Sequence, residues 1–240
     1  MIENTQDLVE KRLGQQHICK YCGKEFRKES SLAVHLCEPK RRWQQEKETG
    51  VQFGLRAYLQ FFETTQGSAK NKSYTDFVTS PYYKAFVKFG RHCVSIKCVN
   101  IQNYTTWLLK NNKKLDYWTK DVFYDEWMRE YLKKEAVQDA LERALKTMED
   151  YASDGSGLAG FQDYFRYGNA NRICHHISTG RISPWIVFNC VSGVDWLSTL
   201  ADDQIAIILP WIDPDYWNRK FTDYMGDVEW CKHLLKEAGL

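Results

Sequence analysis

Residues 19–37 read CKYCGKEFRKESSLAVHLC. Cys19 and Cys22 are separated by two residues, and His35 follows after twelve more. A Cys-x2-Cys turn presents two thiolates from one tight loop, and Gly23 allows the chain to make that turn. Twelve residues are enough for a short helix to fold back over the loop and deliver a third ligand. Phe26 and Leu32 fall where two apolar side chains must meet to pack so small a unit. Thiolate and imidazole donors at this spacing select zinc, so Cys19, Cys22 and His35 are expected around one ion.

The match C-x2-C-x3-F-x5-L-x2-H resembles the C2H2 zinc-finger family over about 20 residues. The resemblance implies a small ββα unit. The chain departs from the family at the last ligand, which belongs three to five residues beyond His35. Pro39, Lys40 and Arg41 stand there, and none binds zinc. Cys37 is two positions on, and on a continuous helix it would point about 200° away from His35. It completes a C2HC-like site only if the helix unwinds right after His35. Pro39 favours that, because it disfavours helical geometry at Glu38. Cys37 is therefore the preferred fourth ligand, with a distant ligand or an open site as alternatives. His17 is a weaker candidate, since fingers usually carry a packing aromatic there.

In fingers that read DNA, helix positions −1, 3 and 6 face the bases. Here they are Lys28, Ser31 and Val34, of which only Lys28 reads bases strongly. Lys20, Lys24, Arg27, Lys28, Lys40, Arg41 and Arg42 crowd the motif against Glu25, Glu29 and Glu38. That local excess of four exceeds the whole chain's net charge of +2. The imbalance favours phosphate contact without sequence reading, carried by Arg27, Lys28, Ser31, Lys40, Arg41 and Arg42. The expected function is that of a nucleic-acid-associated accessory or regulatory protein. The alternative is an adaptor or assembly factor whose finger docks on a protein partner.

The rest of the chain reads as helix after helix, so the fold class is mainly α: a ββα finger followed by an irregular multi-helix domain. The expected divisions are a polar arm (1–16), the finger (17–42), a helix and linker (43–73) and a helical domain (74–240). Ser80-Pro81 and Asp213-Pro214 are helix starts, and Gly90, Gly180 and Gly239 are expected stops. Val137, Leu141, Ala144, Leu145 and Met148 form an apolar stripe. The alternation at Cys93–Cys98 is expected to form a short strand. The longest apolar run, Ile205–Leu209, is expected to stop at Pro210. It is far short of the roughly 18 apolar residues of a membrane span. With eight cysteines in 240 residues, far below disulfide-scaffold density, a reducing, cytoplasmic setting is expected.

Other constellations carry less. Cys174-His175-His176 places adjacent histidines about 100° apart on a helix, so one buried and one surface histidine is the expected arrangement. His92, Cys93 and Cys98 have weak metal-ligand spacing. Asp202, Asp203, Asp213, Asp215, Asp223, Asp227 and Glu229 cluster late, but several fit helix starts. No phosphate loop or nucleophile elbow is present, so catalysis is not expected. The segment ISTGRISPW (177–185) resembles a helix–Gly–x–Ile/Leu–Ser–Pro–helix turn in the flavin domain of photolyases. The family's flanking Ser-Pro-Tyr and Arg are replaced here by Cys174-His175-His176 and Trp185, which leaves a shared connector rather than a cofactor site. HLCEPKRRW followed by an aromatic-rich body with GNANRICHHISTGRISPW is similar to a zinc-finger protein that recurs in T4-like tailed bacteriophages. That likeness implies a bacterial cytoplasm and a partner among phage or host nucleic-acid machinery. It supplies no catalytic residues.

Overall fold

A computed structural model describes residues 16–67 and 72–240. The N-terminal arm lies outside the described residues except for Gln16, as does the middle of the expected linker. The chain divides into two compact units, one up to Thr119 and one from Lys120. The described residues are mainly α, and their one sheet is a two-stranded hairpin. Among them, no helix is long and apolar enough to cross a membrane.

The first unit starts with that hairpin. Strand β1 (His17–Ile18) pairs antiparallel with β2 (Glu25–Phe26), His17 facing Phe26 and Ile18 facing Glu25. Helices α1 (Glu29–Val34) and α2 (Glu38–Gln44) follow. The body is built on α3 (Thr49–Gln66), α4 (Tyr74–Thr79), α5 (Tyr83–Ser95) and α6 (Ile101–Lys110). Aromatic rings fill its core: Tyr58, Phe77, Phe86, Phe89, Tyr104 and Trp118 are all buried. Each ring buries a large apolar area, and edge-to-face contacts such as Tyr58–Phe86 (5.5 Å) add to it.

Helix α5 does not stop at Gly90, and Cys93–Cys98 is not a strand. The helix continues to Ser95 because Gly90 is there for packing. A Cβ on Gly90 would collide with the Gly50 carbonyl of α3, and one on Gly54 would lie 2.7 Å from the Phe86 carbonyl oxygen. These glycines let two helices approach backbone to backbone. The turn after α5 places Lys97 at φ +50°, and Cys98 N–H donates to the Cys93 carbonyl (2.8 Å).

The second unit holds α7 (Asp121–Lys134), α8 (Val137–Ser153), the short α9 (Tyr164–Tyr167) and α10 (Ala170–Ser178). Then come α11 (Pro184–Asn189), α12 (Val191–Leu197), α13 (Asp202–Ile212), α14 (Pro214–Asp223) and α15 (Met225–Glu237). Helix α11 runs through the middle, packed on α8 and α15, with Trp185, Ile186 and Val187 buried. Helix α13 passes through Pro210 instead of ending before it. Proline removes one intrahelical hydrogen bond, and the carbonyl it frees belongs to the exposed Ala206, where water can serve it. Helix α12 is not foreshadowed by its residue pattern, because Gly193 and the exposed Val191 and Val194 break the helical periodicity.

Between α7 and α8 lies a buried ionic group. The Glu135 carboxylate accepts from Arg143 Nη2 (2.6 Å) and from Ser183 Oγ (2.6 Å). Burial still pushes its pKa upward, against the pull of Arg143 and Ser183.

Candidate metal centre

The Cys19–Cys22 turn forms as its residues require. Gly23 takes φ +72°, its N–H donates to the Cys19 carbonyl (2.8 Å), and Cys19 N–H donates to the Lys24 carbonyl (2.9 Å). Cys19 is buried, and Cys22 sits at the surface. Phe26 packs against the His35 ring at 4.7 Å and so sets its orientation.

Helix α1 ends at Val34. His35 is already extended (φ −69°, ψ 122°), and so is Cys37 (φ −89°, ψ 163°). The early unwinding needed to turn Cys37 toward the other ligands is therefore present. Its cause differs from the expected one, because Glu38 is helical: it is the first residue of α2, with Pro39 in the first turn. Proline suits a first turn, where its missing N–H has no partner to lose. Cys37 is the N-cap of α2, and its Sγ accepts from Lys40 N–H (3.5 Å). The Lys40 ammonium reaches back to the His35 carbonyl (3.0 Å) and ties down the linking segment.

The donor atoms of Cys19, Cys22, His35 and Cys37 all lie within 4.8 Å of one another. Cys19 Sγ and Cys37 Sγ are 3.9 Å apart, and Cys22 Sγ is 3.3 Å from His35 Nε2. A tetrahedral zinc with ordinary bond lengths requires about 3.8 Å between sulfurs and about 3.6 Å between sulfur and nitrogen. The cage therefore fits an ion of that size. The electrostatics agree. Burial opposes ionisation of Cys19, but N–H groups of the turn and the thiols of Cys22 and Cys37 outweigh it and lower its pKa. Cys22 is assisted by the Lys24 N–H, yet burial and its neighbours Cys19 and Cys37 raise its pKa. Each thiolate hinders the next unless a cation is shared among them.

His17 stays in the hairpin and does not join the donor set. Among the described residues, no other group of three or more His, Cys, Asp or Glu converges, so neither His92/Cys93/Cys98 nor the late carboxylates assemble a second metal cluster. Asp213 caps α14, accepting from Asp215 N–H and Tyr216 N–H. His176 is buried, with its Nδ1 2.7 Å from Tyr164 Oη, and His175 is exposed. Ser183 caps α11 as the connector reading expects.

The basic residues separate into two groups. Arg27, Lys28, Ser31 and Arg41 are exposed, as are Lys20 and Lys24. Lys40 is held by His35. Arg42 lies against the body: its guanidinium donates to the Val78 carbonyl (2.8 Å) and to Glu38, and it stacks 4.6 Å over the Tyr83 ring. Beside it Tyr74 Oη donates to the Arg42 carbonyl (2.7 Å), and Trp43 packs edge-on against Tyr74. Sequence reasoning missed this anchoring role, although the adjacent Trp43 is an apolar residue amid charges and marks a face that needs cover.

No family model, curated protein or solved structure matches this chain. The likeness to a phage zinc-finger protein therefore has no matched relative behind it. A Cys3His cluster able to hold a metal ion, at the start of a mainly α chain, is what the geometry establishes.

Proposed function

We propose that this is a zinc-finger protein that associates with nucleic acid through phosphate contacts. Zinc is held by Cys19, Cys22, His35 and Cys37, and it supplies folding free energy to a unit too small for a core of its own. The observation that carries the reading is the metal-sized cage ringed by exposed cations. Lys20, Lys24, Arg27, Lys28 and Arg41 offer charge to a phosphate backbone, and Ser31 offers a hydroxyl. Lys40 and Arg42 support the finger from behind rather than meeting the ligand. With Lys28 as the one strong base reader, binding is largely independent of sequence.

The test is anisotropy binding of the zinc-loaded chain to duplex and single-stranded DNA and RNA across a salt series. Each phosphate contact contributes about 0.7–0.9 to the log–log salt slope. An Arg27/Lys28/Arg41→Ala variant should lose roughly two to three units of slope if all three make contact. Absence of binding at low salt, with zinc bound, would exclude the reading.

A second reading has its own support. Ile18, Val34 and Leu36 are exposed apolar residues on or beside the finger, and Val34 is 82% exposed. They favour docking on a protein surface, with the finger as the contact element. Binding to a partner protein lost in a Val34/Leu36→Ser variant, without nucleic-acid binding, would establish that alternative.

A further inference from the structure

A cleft of about 380 Å³ opens in the second unit, in the lower part of the size range of small-molecule sites. Its lining includes Lys134, Lys220, Trp185, Tyr224 and the start of α8. Lys220 is a partly buried cation of this cleft. One of its N–H groups donates to the Lys133 carbonyl (2.6 Å), which leaves two for a ligand among the described residues. Its ammonium lies 5.3 Å from the Trp185 ring, 5.4 Å from the Trp217 ring and 5.6 Å from the Tyr224 ring. Burial lowers its pKa, and Glu135 and Asp227 only partly offset this. Lys134 stands at the rim, 79% exposed and 3.9 Å from Glu130.

The acidic groups do not cancel this charge. Both Glu135 oxygens are occupied by Arg143 and Ser183. That leaves Asp227 in the lining, and Glu130 beside Lys134 at the rim, against Lys133, Lys134 and Lys220. Two neutral features point the same way. Helix α8 has 17 residues, and its N-cap, Ala136, offers no side-chain acceptor, so the positive end of a long dipole, with Asp139 in its first turn, lies on the cleft wall. Trp185, only 1% exposed, also lines the cleft, and its buried Nε1–H has no acceptor among the described residues.

We propose that this cleft binds a phosphate-bearing small molecule, with the phosphate on Lys220 and the first-turn N–H groups of α8 and with Lys134 closing the rim. Exposed Tyr224 (53%) offers a flat face to whatever the phosphate carries. The site is independent of the finger.

The test is titration calorimetry of the full zinc-loaded chain at low ionic strength. The probes are inorganic phosphate, a nucleoside 5′-monophosphate and the same nucleoside without phosphate. Phosphate and the monophosphate are expected to bind and the nucleoside is not. Tighter binding of the monophosphate identifies an organic ester as the ligand, and equal binding identifies the free anion. Lys220→Met should weaken binding at least about tenfold, and Lys134→Ala about threefold, as lost charge-assisted contacts do. If Lys220→Met fails to fold, the exposed Lys134→Ala still decides. The Arg27/Lys28/Arg41→Ala variant lacks the finger's phosphate contacts, and the phosphate affinity that remains in it should still fall with Lys134→Ala. No heat with either phosphate probe, or phosphate affinity unchanged by Lys134→Ala and by any folded Lys220→Met, overturns the proposal. So does loss of that affinity in the finger variant, because the anion would then be bound at the finger.

Discussion

Replacing Cys37 separates two jobs held by one sulfur atom. Structural zinc in a four-ligand site contributes about 10–16 kcal/mol, so one ligand accounts for roughly 3–4 kcal/mol, or about 10²–10³-fold in zinc affinity. Cys37 also caps α2, and loss of a cap costs about 1 kcal/mol. Cys37→Ala removes ligand and cap together. Cys37→Ser removes the soft ligand but keeps a good capping hydroxyl. Both variants should lose zinc affinity by that factor in a chelator competition. Their metal-free forms should differ by about 1 kcal/mol in urea stability, serine being the more stable. Cobalt substitution counts the sulfurs directly: going from three thiolates to two should lower the thiolate-to-cobalt absorbance by about a third. The reasoning fails if Cys37→Ala holds zinc within threefold of the parent and keeps the full cobalt absorbance.

Other positions give independent checks. Gly54→Ala drives a methyl group against the Phe86 carbonyl on α5, and should lower the stability of the first unit by about 1–3 kcal/mol in chemical denaturation. Arg143→Met leaves the Glu135 carboxylate buried without its cation, costing about 3–5 kcal/mol at neutral pH. Because burial already raises the Glu135 pKa in the folded state, acid favours the fold at this residue, and the penalty should shrink as pH falls through that raised value. Urea titrations at two pH values measure it. Glu48 shows the opposite sign: Arg91 donates to both its oxygens (2.6 and 2.8 Å) and lowers its pKa below the ordinary 4.5. Its contribution is present above 4.5 and lost as pH falls through the lower folded value. The pair is partly exposed, so the gap between parent and Glu48→Gln should be below about 1 kcal/mol at neutral pH and vanish in strong acid.

Local rules made much of the chain legible. Spacing grouped Cys19, Cys22 and His35, and Cys37 joined them as the nearest thiol on condition that the helix break early; the four side chains do converge. Ser183 and Asp213 cap helices as their residue types require. The errors arose where distant contacts override a local signal. Gly90 reads as a stop, but α3 crosses there and no side chain fits. Cys93–Cys98 alternates like a strand, yet Cys93 is buried in the last turns of α5. Pro210 stays inside a helix because that helix lies at the surface. Arg42 reads as one more cation in a basic run, and only the fold shows that Val78 and Tyr83 claim it. The Lys220 cleft was equally hidden, since residues 134, 137, 185 and 220 meet only through tertiary packing.

The sharing of Cys37 between two elements has an engineering consequence. A metal module on a flexible tether can be cut out and grafted onto another protein. The Cys3His cluster has no tether: its Cys37 is also the N-cap of α2, and α2 is clasped through Arg42 and Trp43 to the helices behind it. A chimera joined between His35 and Gln44 would part the Cys3His cluster from α2 and the helices behind it. The smallest transplantable piece therefore includes α2 and a host face able to replace Tyr74, Val78 and Tyr83. Insertions at residues 36–38 should be far less tolerated than insertions in the loop at Lys47.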